Sequence, residues 1–331
     1  MGLEPGTHPP ISNRSKSTTV AVARRYDAVA MAQHTSLEGF PTPLPGPHGG
    51  DGPLIARALG LDPASILDLS QSMNPFAPSI SSMARDHLDT LNAYPHPEAA
   101  THALAAAFDV DPGQVLLTNG GSEAISLVSR EIGGRVKSEP EFSLHPRSDT
   151  GPLWRSDPHN PSGRLAASEE TADVWDEAFY PLATGTWFSK RSSVIVGSLT
   201  KVFACPGLRI GYIIADDVDR FSRHQPTWSV NGLAAAMLPD LLDAADLPGW
   251  ATAITSGRHG LSAMLAHRGL GPESGDAPWV LVDAPGLRER LAPLGIIVRD
   301  CASFGMPGYV RIAVPDDTGL ARLEAGLDQA M

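Results

Sequence analysis

SVIVGSLTKVFACPGLRIGY, residues 193–212, sets a lysine just past a strongly apolar run and an arginine eight positions after it. Ser193–Gly197 reads as a short buried strand. Lys201 then falls at or just beyond a strand end, where α/β proteins carry their chemistry. Such a lysine is either a nucleophile or an ordinary surface cation, and this stretch alone does not decide between them.

Working outward, VLLTNGGSEAISLVSREIG (115–133) reads as strand, glycine turn and helix. Backbone N–H groups at Gly120 and Gly121, with the helix dipole behind them, suit an anion such as phosphate. There is neither a GxGxxG pattern nor a Walker lysine, so a nucleotide fold is not supported. DEAFY (176–180) places two acids at the end of an apolar segment, VWDEAFY, that reads as a strand. HNPSG (159–163) reads as a turn carrying Asn160. Strand–helix alternation followed by a mixed tail predicts an α/β main domain and a smaller α+β domain. The expected boundaries are a disordered tail over 1–45, an N-terminal arm over 46–78 that joins the small domain, a shortened large domain over 79–225, and a small domain over 226–331. Met31 offers an alternative start.

Bulk properties narrow the function classes. At 42% hydrophobic and 19% charged residues, the composition is that of an ordinary globular protein. A net charge of −12 argues against nucleic-acid and anionic-membrane partners, while leaving room for a local basic pocket. Two cysteines define no disulfide framework, and a reducing cytoplasm is the default. No apolar stretch approaches the ~18 residues of a membrane span, and residues 20–31 are too interrupted by charge to make a signal peptide.

Glycine turn, Asn-Pro, strand-end acid, post-strand lysine and arginine follow one another along the chain. Pyridoxal 5′-phosphate needs these parts: a lysine to carry it, a carboxylate facing its ring nitrogen, and donors for its phosphate. With HGG (48–50), LDLSQSMNPF (67–76), YPHPE (94–98), TWSVN (227–231), IIVRDCASF (296–304) and YVRIAV (309–314), the sequence resembles fold-type I enzymes of aminotransferase class I/II. Within them it looks most like the threonine-phosphate decarboxylases of cobalamin biosynthesis, with histidinol-phosphate aminotransferases as relatives.

The resemblance implies a fold-type I architecture: a mainly parallel central sheet with helices on both faces, plus a smaller α+β domain. It implies Lys201 as the lysine that carries the cofactor, Asp176 at the ring nitrogen and Asn160 at the ring oxygen. Gly120, Gly121, Ser198 and Arg209 would hold the phosphate, and His145 would stack on the ring. Tyr94 would reach the cofactor of a partner subunit, making a homodimer. Arg311 would grip the substrate carboxylate, with Asn160 beside it. His48, Gly49, Asn74 and Arg299 would meet the substrate phosphate. No metal is implied. The reaction expected is decarboxylation of L-threonine O-3-phosphate to (R)-1-amino-2-propanol phosphate; the alternatives are a histidinol-phosphate-type transamination and, more distantly, a cofactor-binding protein with little turnover.

The chain also departs from the pattern. His145 stands where relatives carry Tyr or Phe, Phe179 offers no hydroxyl where the aminotransferases have tyrosine, and Asp51 follows the HGG glycines. Only fifteen positions separate His145 from Asn160 and sixteen separate Asn160 from Asp176. Peripheral strand and helix units of the large domain are therefore expected to be missing or replaced by loops, with PLWRSDP (152–158) as a minimal strand.

Overall fold

A computed structural model of the protein describes residues 42–331 except residues 192 and 274. The expected tail lies outside the described residues as far as position 41. Its last residues do not: Arg288 donates to the Pro43 carbonyl at 2.8 Å.

A seven-residue helix over Gly52–Ala58 precedes a two-residue strand, β1 (Leu67–Asp68). A six-stranded sheet follows from β2 (Val115–Thr118), β3 (Arg135–Val136), β4 (Leu153–Ser156), β5 (Val174–Asp176), β6 (Val194–Ser198) and β7 (Gly211–Ile214). Its spatial order is β2-β7-β6-β5-β4-β3. β7 runs antiparallel to both neighbours, and every other pair is parallel. All five residues of β6 and all three of β5 are buried. Unbroken burial without alternation is what a strand covered on both faces requires.

Two helices flank this sheet early in the chain. α1 (Glu98–Phe108) buries Ala100, Leu104, Ala105 and Phe108, and α2 (Gly121–Ile132) buries Ala124, Ile125, Leu127 and Val128, each at helical spacing. α3 (Leu199–Val202) is a single turn that carries Lys201. α4 (Gly232–Asp243) packs across α1, and Leu104 and Leu238 in that core are fully buried. Truncating either to alanine is expected to cost about 2–5 kcal/mol. α5 (Leu247–His267) contributes Leu247 and Trp250 to the same core. The boundary expected at 225/226 therefore does not separate the cores, because the next two helices begin in the larger one.

A second core gathers around β8 (Pro272–Glu273), β9 (Trp279–Asp283), β11 (Arg299–Asp300), β12 (Tyr309–Ala313) and α6 (Asp317–Ala330). The strands form an antiparallel sheet in the order β11-β12-β9-β8. β10 (Ile296–Ile297) pairs in parallel with β1, tying the N-terminal arm to this part of the chain.

Two local expectations change. The strand read over VWDEAFY stops at Asp176, whose Oδ1 accepts the Ala178 N–H at 3.1 Å and turns the backbone. The stretch ahead of PLWRSDP, for which no strand was expected, contains β3, while the minimal strand expected within PLWRSDP is β4. No α-helix intervenes between β3 and β5 among the described residues. Trp154 and Trp175 are nonetheless buried, and the Arg191 guanidinium sits 4.0 Å from the Trp175 ring.

Candidate functional site

β2, β4, β5 and β6 share one direction, and their C-terminal ends bring Thr118, Ser156, Asp176 and Ser198 to one sheet edge. That is the edge where open α/β sheets bind ligands. A cleft of about 300 Å³ lies there, lined among others by Gly121, Ser156, Asn160, Asp176, Ser198, Lys201, Arg209, Arg299 and Arg311.

Gly120 precedes α2 with φ +77°, and a Cβ there would overlap the Arg209 guanidinium. Glycine is thus required both by the backbone conformation and by the close approach of the cation. The first N–H groups of α2, Ser198 and Arg209 form a cradle of donors fit for a phosphate. Arg209 itself has φ +55°, a conformation non-glycine residues seldom take.

Lys201 donates to the Gln71 carbonyl at 3.3 Å. Burial, then the charges of Arg311 and Arg209, bring its pKa down to about 8. A lysine poised near neutrality can serve as nucleophile and proton carrier. Asp176 is buried and lies 3.0 Å from His145 Nε2. Arg311 is buried, donates to Asn160 Oδ1 at 2.6 Å and stacks over Trp279 at 4.4 Å. Burial draws its pKa down to about 10. Its Nε has no partner among the described residues, an orphaned donor that a bound carboxylate would satisfy.

Several expected residues stand elsewhere. The His145 ring is wholly buried behind Asp176 and does not line the cleft; Phe142 does. His145 is thus placed against the Asp176 carboxylate. Asn74 is also off the cleft: its Nδ2 donates to the Val202 carbonyl at 2.9 Å and its backbone N–H to the Lys201 carbonyl at 3.0 Å. Its Oδ1 accepts from the Phe76 N–H at 3.0 Å. Arg299 lines the cleft, but donates to the carbonyls of Gly46 and Pro47 and to Ser303, holding the arm that carries His48 and Gly49. His48 has its pKa lowered by partial burial and by Arg299. Tyr94 is 67% exposed, stacks on Trp228 and does not line this chain's own cleft. Ser122, Thr200 and Phe142 line the cleft without having been assigned there. The GGS and PEF tripeptides were the only sequence signals for Ser122 and Phe142, and the SLTK stretch for Thr200.

The aminotransferase class I and II family model matches residues 147–325, and the chain belongs to that family. It is 27% identical over 337 residues to a histidinol-phosphate aminotransferase of Halorubrum lacusprofundi, covering 84% of this chain and 92% of that protein. Among solved structures it resembles L-threonine-O-3-phosphate decarboxylase from Porphyromonas gingivalis, with TM-score 0.67, 20% identity, and coverage of 80% of this chain and 98% of that one. Histidinol-phosphate aminotransferase from Sinorhizobium meliloti, solved with pyridoxal 5′-phosphate, gives TM-score 0.67 and 18% identity over 78% of this chain and 89% of that one. The fold is that of fold-type I enzymes, and the protein is an enzyme whose cofactor is pyridoxal 5′-phosphate. Among the described residues, no helix is long and apolar enough to cross a membrane.

Proposed function

We propose that this enzyme acts on a phosphorylated amino acid, and specifically that it decarboxylates L-threonine O-3-phosphate to (R)-1-amino-2-propanol phosphate. The observation that carries this reading is the small cleft, about 300 Å³, with Arg311 and Arg299 both in its wall. That volume lies at the low end for small-molecule sites and has to hold cofactor and substrate together, which favours a short side chain bearing a second anion. Phe179, packed edge-on against Trp279, supplies an apolar wall with no hydroxyl.

When bound, pyridoxal 5′-phosphate supplies an electron sink for a bond breaking at the substrate Cα. Around it we assign the α2 N–H groups at Gly121 and Ser122, Ser198 and Arg209 to the cofactor phosphate, Asp176 to the ring nitrogen, and Phe142 to the ring face. Lys201 would carry the cofactor and, once released as a protonated amine, would deliver to Cα the proton that replaces the departing CO₂. Arg311, steadied by Asn160 Oδ1, holds the substrate carboxylate by bidentate bonding. Arg299 fixes the arm so that His48 closes over the substrate phosphate. The exposed Leu88, Leu91, Tyr94 and Trp228 form an apolar patch that we assign to a homodimer interface, with Tyr94 reaching the partner's site. Both cysteines are free and buried, consistent with a reducing cytoplasm.

A histidinol-phosphate aminotransferase activity is the second reading, favoured by curated relatives of that name at 24–28% identity. One assay separates them. The purified enzyme is given L-threonine O-3-phosphate without any 2-oxo acid and CO₂ is followed. Stoichiometric CO₂ supports decarboxylation; no CO₂, together with amino transfer from histidinol phosphate to 2-oxoglutarate, overturns it.

A further inference from the structure

We propose that Glu141 is a positioning residue: through His145 it holds Asp176 as an anion aimed at the cleft, and through Ser156 and Phe142 it fixes the wall beside that carboxylate. The proposal rests on the reading of Asp176 as the partner of the cofactor ring nitrogen.

The Glu141 carboxylate is buried and accepts from three donors. Ser156 Oγ reaches Oε1 at 2.7 Å, Ser156 N–H reaches Oε2 at 3.1 Å, and Phe142 N–H reaches Oε1 at 2.8 Å. Ser156 and Phe142 both line the cleft, so one side chain ties together two parts of its wall. The fourth neighbour is His145, whose Nδ1 lies 3.8 Å from Glu141 Oε1 and whose side chain is fully buried. On its other side Nε2 lies 3.0 Å from Asp176 Oδ2. Phe142 stands edge-on to the ring at 5.6 Å and Trp154 lies at 5.5 Å, while of the other charged groups nearby Arg147 donates to the His145 carbonyl at 2.6 Å and Glu139, paired with Arg147, also feels the imidazole.

We assign the protons from this geometry. A carboxylate offers only acceptors, so Nε2 carries a hydrogen toward Asp176. Nδ1 has no hydrogen-bond partner among the described residues and faces a second carboxylate. A lone pair there would be repelled by Glu141, whereas an N–H is attracted across the 3.8 Å gap. A cationic His145 between two carboxylates compensates both in a dry interior, and an uncompensated carboxylate there would be costly. Glu141 thereby keeps the imidazole charged, and the charged imidazole keeps Asp176 ionised and in place.

The test is a ¹⁵N spectrum of the histidine rings in the cofactor-free full chain, with His145 assigned by its disappearance in His145→Asn. In the wild type both ring nitrogens of His145 are expected at protonated positions. In Glu141→Gln, Nδ1 is expected to move to the unprotonated position. A wild-type His145 with a bare Nδ1 would overturn the proposal, and so would a folded Glu141→Gln whose His145 spectrum is unaltered. If that variant does not fold, the wild-type spectrum alone decides. Because no cofactor is present, this result is independent of the functional reading, whose failure would instead appear as a wild-type protein that captures no pyridoxal 5′-phosphate.

Discussion

Arg299 and Arg311 stand opposite one another in the β11–β12 register, and both line the cleft that contains Lys201. Two neighbouring cations on a chain of net charge −12 mark a local pocket for an anionic ligand. Their hydrogen bonds divide the labour. Arg311 keeps an unpartnered Nε inside the site, whereas Arg299 is bonded to the arm. Arg311→Lys, which keeps charge but loses the fork, is expected to lower kcat/KM at least ~100-fold, in line with about 3 kcal/mol for a buried charged pair. Arg299→Ala is expected to act on the phosphate end, narrowing the preference for L-threonine O-3-phosphate over L-threonine. Equal effects of the two variants on both substrates would refute the division.

Lys201 makes a pH prediction in two parts. Its folded-state pKa is about 8, below the ordinary 10.5, chiefly through burial and then Arg311 and Arg209. Capture of pyridoxal 5′-phosphate by the apoprotein needs the free amine, so its rate should rise through pH 8 and level off well before 10.5. For stability the unfolded chain binds the extra proton between pH 8 and 10.5, so the folded state gains stability as pH rises across that window. Below pH 8 the cost of the buried cation is fully present. Lys201→Met should abolish covalent capture and remove this upward slope in denaturant titrations. A capture rate still climbing at pH 10 would contradict the lowered pKa.

How much of this was legible in the sequence depends on what each residue type does locally. Lys201, Asp176, Asn160, Arg209 and Arg311 were each read from a strand end, a turn or a family motif, and they converge on one cleft. A buried run followed by a polar residue constrains where that residue can go. His145 was not legible in this way. It lies in an irregular stretch with no periodicity, where Phe142 and His145 compete for one role and only the tertiary fold decides between them. Asn74 was not legible for a related reason, since an asparagine before proline can bond backbone as readily as ligand. The placement of α4 failed because helical periodicity shows that a face is apolar but not which core receives it.

Asn74 now carries a structural prediction. Its amide bridges the loop after β1 to the Val202 carbonyl, one residue past Lys201. Asn74→Ala leaves that carbonyl and the Phe76 N–H without their partners, at an expected cost of roughly 1–3 kcal/mol. Turnover should fall only as far as Lys201 is loosened, and the ratio of phosphorylated to unphosphorylated substrate should stay at the wild-type value. A changed ratio at unchanged stability would return Asn74 to the substrate phosphate.

The apolar patch around Tyr94 predicts an oligomeric state. Its ring stacks on Trp228 at 4.2 Å, and Leu91 beside it is 64% exposed. Sedimentation at micromolar concentration should give a dimer, and Leu91→Arg should shift it to monomer. Tyr94→Phe, which keeps the stack but removes the hydroxyl, should leave the dimer intact and weaken cofactor retention roughly 10-fold, as expected for one hydrogen bond to a charged group. A wild-type monomer that turns over at full rate would eliminate the shared site.

Glu177, next to the site acid, should make the fold sensitive to mildly acidic pH in a defined direction. It is fully buried, and burial raises its pKa to about 7, against the opposing pull of two hydrogen bonds from Ser189 and the nearby Arg191. Here the folded state binds the extra proton, between pH 4.5 and 7. Stability is therefore lost as pH rises through that window, and the penalty is complete above it. Glutamine imitates the protonated acid and cannot ionise. Glu177→Gln should thus gain on the wild type progressively from pH 4.5 to 7, by on the order of 2 kcal/mol, and by no more thereafter. The measurement is chemical denaturation of both proteins at several pH values. Parallel stability curves across pH 4.5–7 would show that Glu177 is ionised throughout, its charge held by Ser189 and by the Arg191 that also bonds Asp157 at 2.7 Å.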